Sequence, residues 1–248
     1  MTGAVRATNR RRLRAEVLIV LALSLGASGV YALFSLLDSL TSVTPLADQT
    51  ASLNTSDSPK PWLDLLYQLA GITFALAPAA LAVHLLRGAA RIGLTPARPG
   101  PDLGWGTALA VGIGLPGVAF YLLGRALGIT LHVSTQSLGA HWWTVPVLIA
   151  AAAKNGLLEE VVGVGYLGER LTELGWRPAA WIAASAALRG SYHLYQGFGP
   201  FCGNVAMGVV FAWFYHRRGR VMPLVVAHTL IDVVAFLGPS LVPTPWLT

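Results

Sequence analysis

Long apolar stretches alternate with short polar ones along the chain, and most are the length of a bilayer crossing. They run over residues 17–37, 63–86, 103–123, 142–168, 178–195, 201–215 and 221–237. A hydrocarbon core takes about 20 apolar helical residues. The pattern predicts an all-α, polytopic transmembrane helix bundle of about seven helices, within a range of six to eight. The stretch 142–168 exceeds what a bilayer needs, so it must tilt, kink at Gly156 or Gly163, or emerge from the membrane. The intervening segments read as loops: 38–61 is rich in Ser and Thr, and 87–102 holds three Pro and three Arg.

Composition agrees with the pattern. The 248 residues are 54% hydrophobic and only 11% charged, against about 25% charged in soluble domains. The prediction is one membrane-embedded domain, with 1–140 forming N-terminal membrane helices of unassigned role and 141–240 forming a functional core. The basic head Arg10-Arg11-Arg12-Leu13-Arg14 before the first apolar run resembles a signal peptide. The run is too long for one, however, and no clear small-residue cleavage site follows.

The net charge of +6 does not point to nucleic acid, because its placement is asymmetric. Thirteen of the 17 Lys and Arg fall in alternate segments: Arg6 to Arg14, Arg87 to Arg98, Arg170 with Arg177, and Arg217 to Arg220. The opposite segments hold only Lys60 and Arg125. This is the positive-inside asymmetry, and it predicts a cytoplasmic N-terminus. The single cysteine, Cys202, excludes an internal disulfide and a multi-cysteine metal site.

Seven ionisable side chains then stand out: Lys154, Glu159, Glu160, Arg189, His193, His228 and Asp232. Each lies inside an apolar stretch, where a charge costs about 2.5–3.5 kcal/mol. Several survive together only by facing one another, so the prediction is a polar cavity open to the cytoplasm. Glu159 and Glu160 are adjacent and point about 100° apart on a helix. One lines the cavity while the other braces a neighbour. Asn155 and Gly163 share the face of Glu159. His193 is expected about 15 residues into the fifth helix, one turn beyond Arg189. His228 and Asp232 are spaced i, i+4, which lets a carboxylate fix an imidazole, or lets both ligate a metal. Carboxylates with imidazoles suit water activation, with a donor for the oxyanion. No HExxH zinc motif and no Ser-type nucleophile elbow is present.

The order Glu159-Glu160, then His193, then His228-x-x-x-Asp232 resembles the CPBP family, also called Abi. Its intramembrane endopeptidases include the Rce-type CAAX prenyl proteases. The resemblance covers about residues 140–240. It implies that Glu159 activates water, that His193 assists, that His228 and Asp232 bind the oxyanion and orient the site, and that Glu160 supports packing. It also implies glutamate-type chemistry without a cofactor, although a divalent metal such as zinc stays open. The implied partners are a hydrophobic protein or peptide substrate and membrane lipid. The implied location is the bacterial inner membrane; the excess of Arg over Lys hints at a GC-rich bacterial genome. Two positions depart from the family pattern. Val164 stands at the Arg of EExxxR, and Arg189 at the Phe of FxxxH. Arg189 is expected to replace the missing guanidinium, by pairing with Glu160 or holding a substrate carboxylate. The alternatives are a non-catalytic scaffold or immunity-type member, and a proton-coupled transporter, for which no internal repeat is seen.

Overall fold

Strongly apolar helices with little protein around them dominate the periphery. In the computed structural model, which describes residues 3–135 and 137–241, three helical spans are long and apolar enough to cross a membrane on their own: Pro61–Leu85, Pro99–Ala126 and Phe198–Arg218. Protein buries only 11% of the first span's apolar window and 6% of the second's. Phe74 and Leu115 are exposed on these faces. Apolar faces of that size need lipid to cover them, and the chain is an integral membrane protein.

The elements follow the expected order, with informative breaks. The expected first helix is two: α1 (Gly3–Ala22) and α2 (Leu25–Thr41), bent by 51°. At the bend, Ser24 Oγ donates to the Val20 carbonyl at 2.6 Å. Such back-bonding competes with the helical ladder and bends it. The second span is α3 (Pro61–Ala75) and α4 (Ala77–Leu85), interrupted just before Pro78, which offers no N–H and clashes with the preceding turn. α5 (Pro99–Ala126) is longer than expected.

The long fourth stretch begins as α6 (Thr144–Glu159), widens into a π-helical segment over Glu160–Tyr166, and closes as α7 (Leu167–Glu173). The irregularity falls around Gly163. Gly156 does a different job: a β-carbon there would lie 2.8 Å from Thr229 Oγ1 and 3.0 Å from the Val225 carbonyl. Only glycine admits that closeness to α10 (Met222–Leu241). α8 (Pro178–Ser191) has 14 residues, or about 21 Å, too short to cross the core alone. α9 (Phe198–Arg218) and α10 complete the bundle, with α8 packed on α9, and α10 on both α5 and α6.

Loops gather at two ends. At one, β1 (Thr50–Ser52) pairs in parallel with β2 (His132–Ser134), and Thr130 bridges Gly197. At the other, the Val221 N–H donates to the Ile92 carbonyl at 2.8 Å, Arg91 bonds Glu169 and Arg220 bonds Asp102. The arginine-rich loops share this second end. The main apolar core lies around Tyr166, Phe211, Val161, Val162 and Val164. A smaller one at the strand end surrounds Trp143, Leu148 and Phe236.

Candidate active site

The two adjacent glutamates divide their surroundings. Glu160 opens the π-helical segment and is fully buried. Its Oε1 accepts from Arg189 Nη2 on α8 and lies 2.7 Å from His228 Nδ1 on α10. One carboxylate oxygen therefore ties three helices together. Its other oxygen, Oε2, is buried without a hydrogen-bond partner among the described residues.

Glu159, one residue earlier, is 13% exposed at its side chain. Tyr192 donates its hydroxyl to Glu159 Oε2 at 2.7 Å. Arg189 Nη1 approaches the same oxygen at 3.5 Å, and His228 Nε2 lies 3.9 Å from it. On α10, His228 Nε2 is 3.6 Å from Asp232 Oδ1. Asp232 Oδ2 accepts from Asn155 Nδ2 at 2.8 Å, and Asn155 Oδ1 in turn accepts from Lys154. The imidazole thus bonds Glu160 on one side, while its other nitrogen faces the gap between Glu159 and Asp232. Separations of 3.6–3.9 Å exceed a direct hydrogen bond and suit a small polar group held between the partners. Such a ring donates on both sides when it carries its second proton.

His193 is placed differently from the expectation. It is not inside a helix: α8 ends at Ser191, and His193 stands in a turn before a short 3₁₀ segment at Leu194–Gln196. The chain reverses at Gly197, whose φ of 102° favours glycine. His193 Nδ1 lies 2.9 Å from the Arg189 carbonyl, so its anchor is backbone rather than a carboxylate, and Nε2 is left for other contacts. Its ring lies beside Tyr192, 4.8 Å between centroids, and within electrostatic reach of Glu159 and His228.

Val164 sits in the apolar core, and Arg189 supplies the guanidinium at Glu160. Arg189 is 2% exposed and lies over the Phe211 ring at 5.3 Å. Ser185, one turn earlier, donates to the Gly163 carbonyl at 2.6 Å and pins the widened segment to α8. These groups are packed among α6, α8 and α10, and two cavities of about 550 and 380 Å³ lie elsewhere: beside Val83–Gly88, and between α8 and α9. Among the described residues no three His, Cys, Asp or Glu side chains form a metal-holding group.

Sequence reasoning missed Tyr192. It bore no motif, and its only signal was a phenol next to His193 at the end of an apolar stretch.

Buried carboxylates and histidines from α6, α8 and α10 thus form one cluster. A family model described as Type II CAAX prenyl endopeptidase Rce1-like matches residues 141–234, which hold every residue of the cluster. This region of the chain is therefore similar to the CAAX-type intramembrane endopeptidases that the family model describes. No curated protein and no solved structure matches the chain.

Proposed function

We propose that the chain hydrolyses a peptide bond of a hydrophobic or membrane-associated protein, using water activated by Glu159. The observation that carries this reading is the pairing of unlike carboxylates. Glu160 is sealed and tied to two helices, while Glu159 is partly open and faces His228 and Asp232 across a gap. In this mechanism Glu159 takes a proton from water as the resulting hydroxide attacks the scissile carbonyl carbon. His228, its Nδ1–H on Glu160, donates its Nε2–H to the developing oxyanion. Asp232, held by Asn155, orients that imidazole. His193 uses Nε2 to orient the water. Collapse breaks the C–N bond, and the proton held by Glu159 passes to the leaving amine. Arg189 holds Glu160 in the role of the arginine absent at Val164.

The reaction needs no cofactor in this scheme. The arginine-rich end faces the cytoplasm and carries the N-terminus, by the positive-inside rule, in a bacterial inner membrane. A second reading, a non-catalytic scaffold or immunity-type protein, draws on the replacement of the motif arginine by Val164.

The test is proteolysis by purified protein in liposomes, against peptides with apolar C-terminal segments, with and without chelator. Glu159→Gln is expected to cut the rate by about 10²–10⁴-fold, with chelator having no effect. Cleavage lost to chelator assigns the chemistry to a metal. Unchanged cleavage in Glu159→Gln removes the general base from Glu159.

A further inference from the structure

We propose that Tyr192 is a positioning residue that fixes which oxygen of Glu159 takes the proton. This inference rests on the Glu159-base reading above.

Three neighbours converge on Glu159, and all reach the same atom. The Tyr192 hydroxyl is 2.7 Å from Oε2, Arg189 Nη1 is 3.5 Å away and His228 Nε2 is 3.9 Å away. Only the tyrosine contact is short enough to be a strong, charge-assisted bond. A carboxylate on a flexible side chain presents either oxygen by rotating about its last torsion, which is broad. A phenol donating to Oε2 stops that rotation and leaves the lone pairs of Oε1 for water. Arg189 does not replace it, because its nearer amino group is spent on Glu160.

The turn carrying Tyr192 is itself braced. Its N–H bonds the Leu188 carbonyl at 3.4 Å, at the frayed end of α8. Tyr192 is 8% exposed, and its ring rests against His193. From outside, α2 packs on the same turn. A β-carbon at Gly29 would lie 2.6 Å from Ser191 Oγ, so α2 approaches as closely as its backbone allows. Tyr192 and His193 thus move as one unit, backed by an N-terminal helix outside the family-matching region. One turn sets the base through the phenol and presents the second imidazole beside it.

The experiment compares wild type, Tyr192→Phe and Glu159→Gln in liposomes, with kcat and KM measured separately on one cleaved peptide and thermal unfolding run on each. Phe keeps the ring and removes only the hydroxyl. Losing a hydrogen bond to a charged group is expected to lower kcat about 10–100-fold, with KM within about twofold and a near-native unfolding midpoint. A purely structural tyrosine would instead lower the midpoint or raise KM and leave kcat of the folded fraction intact. Either pattern overturns the proposal, as does a kcat within twofold of wild type. If Glu159→Gln stays active, the base reading itself fails. If Glu159→Gln is silent while Tyr192→Phe keeps its kcat, only the positioning role fails.

Discussion

Two clusters of arginine and acid lie within this bundle, and they differ in how completely their bonds close. At the arginine-rich end, Arg170 donates Nε to Glu16 at 2.7 Å, Nη1 to Glu173 at 2.9 Å and Nη2 to the Leu85 carbonyl at 2.7 Å. Tyr166 adds a bond to Glu16 at 3.0 Å, and Tyr215 one to Glu169 at 3.0 Å. Each group of that cluster has a partner at ordinary distance. Where α6 gives way to the widened segment, Glu159, Glu160, Arg189, His228 and Asp232 use the same kinds of side chain but stop short of closure. Contacts of 3.5, 3.6 and 3.9 Å remain, and Glu160 Oε2 has no partner among the described residues. The first cluster ties α1, α4 and α7 together. The second holds polar groups in fixed places without exhausting them, as a reacting site requires, and adds imidazoles that the first lacks. Residue type alone does not separate glue from chemistry; unspent hydrogen-bonding capacity does.

Three substitutions break or sharpen this contrast. The largest effect is expected from Arg189→Ala. Stripping the cation from a buried pair costs about 3–5 kcal/mol, and proteolysis should fall as far as in Glu159→Gln. Thermal unfolding in detergent and cleavage per folded molecule read the two effects. A folded Arg189→Ala protein with near-wild-type cleavage would merge the two clusters into one structural kind. Next comes Arg170→Ala, at a guanidinium 7% exposed with half-open partners. Loss of its charged hydrogen bonds is expected to cost about 2–3 kcal/mol, while kcat per folded molecule stays within a few-fold. A kcat collapse at unchanged stability would show that the end cluster serves the reaction. Smallest is Arg91→Ala. Its side chain is 38% exposed, and such pairs contribute about 0–1 kcal/mol, so the unfolding midpoint should barely move. A shift as large as that of Arg170→Ala would extend the rigid end cluster out to the solvent.

The helical frame was readable because its signal is long and periodic. Seven apolar stretches stood out, and their polar separators mark the observed turns. Face-sharing was also readable where the helix is regular: His228 and Asp232, four apart on α10, end 3.6 Å from each other. What escaped depends on partners distant in sequence or on single hydrogen bonds. The bend at Ser24 has no proline to announce it; a hydroxyl reaching back to Val20 makes it. β1 is three residues in a Ser/Thr-rich loop whose partner lies some 80 residues on. His193 looked helical because Ser191 to Tyr195 contains no glycine or proline, and the reversal is set by Gly197 beyond it. The meeting of Arg189 with Glu160 was an expectation drawn from the absent motif arginine. The tyrosine on Glu159 had no such absence to point to it.

The widened segment between Glu160 and Tyr166 makes chain length here a coded quantity. Its backbone bonds reach five residues back, as from the Leu167 N–H to the Val162 carbonyl. Removing one residue from 161–165 would let the helix close to ordinary bonding and swing everything beyond it by about 100°. Arg170 would leave Glu16, and Ser185 would lose the Gly163 carbonyl, while Glu159 itself stayed in place. This stretch should therefore accept changes of letter far more readily than changes of number. A one-residue gap here, when relatives are aligned, would mark a different geometry and not neutral drift.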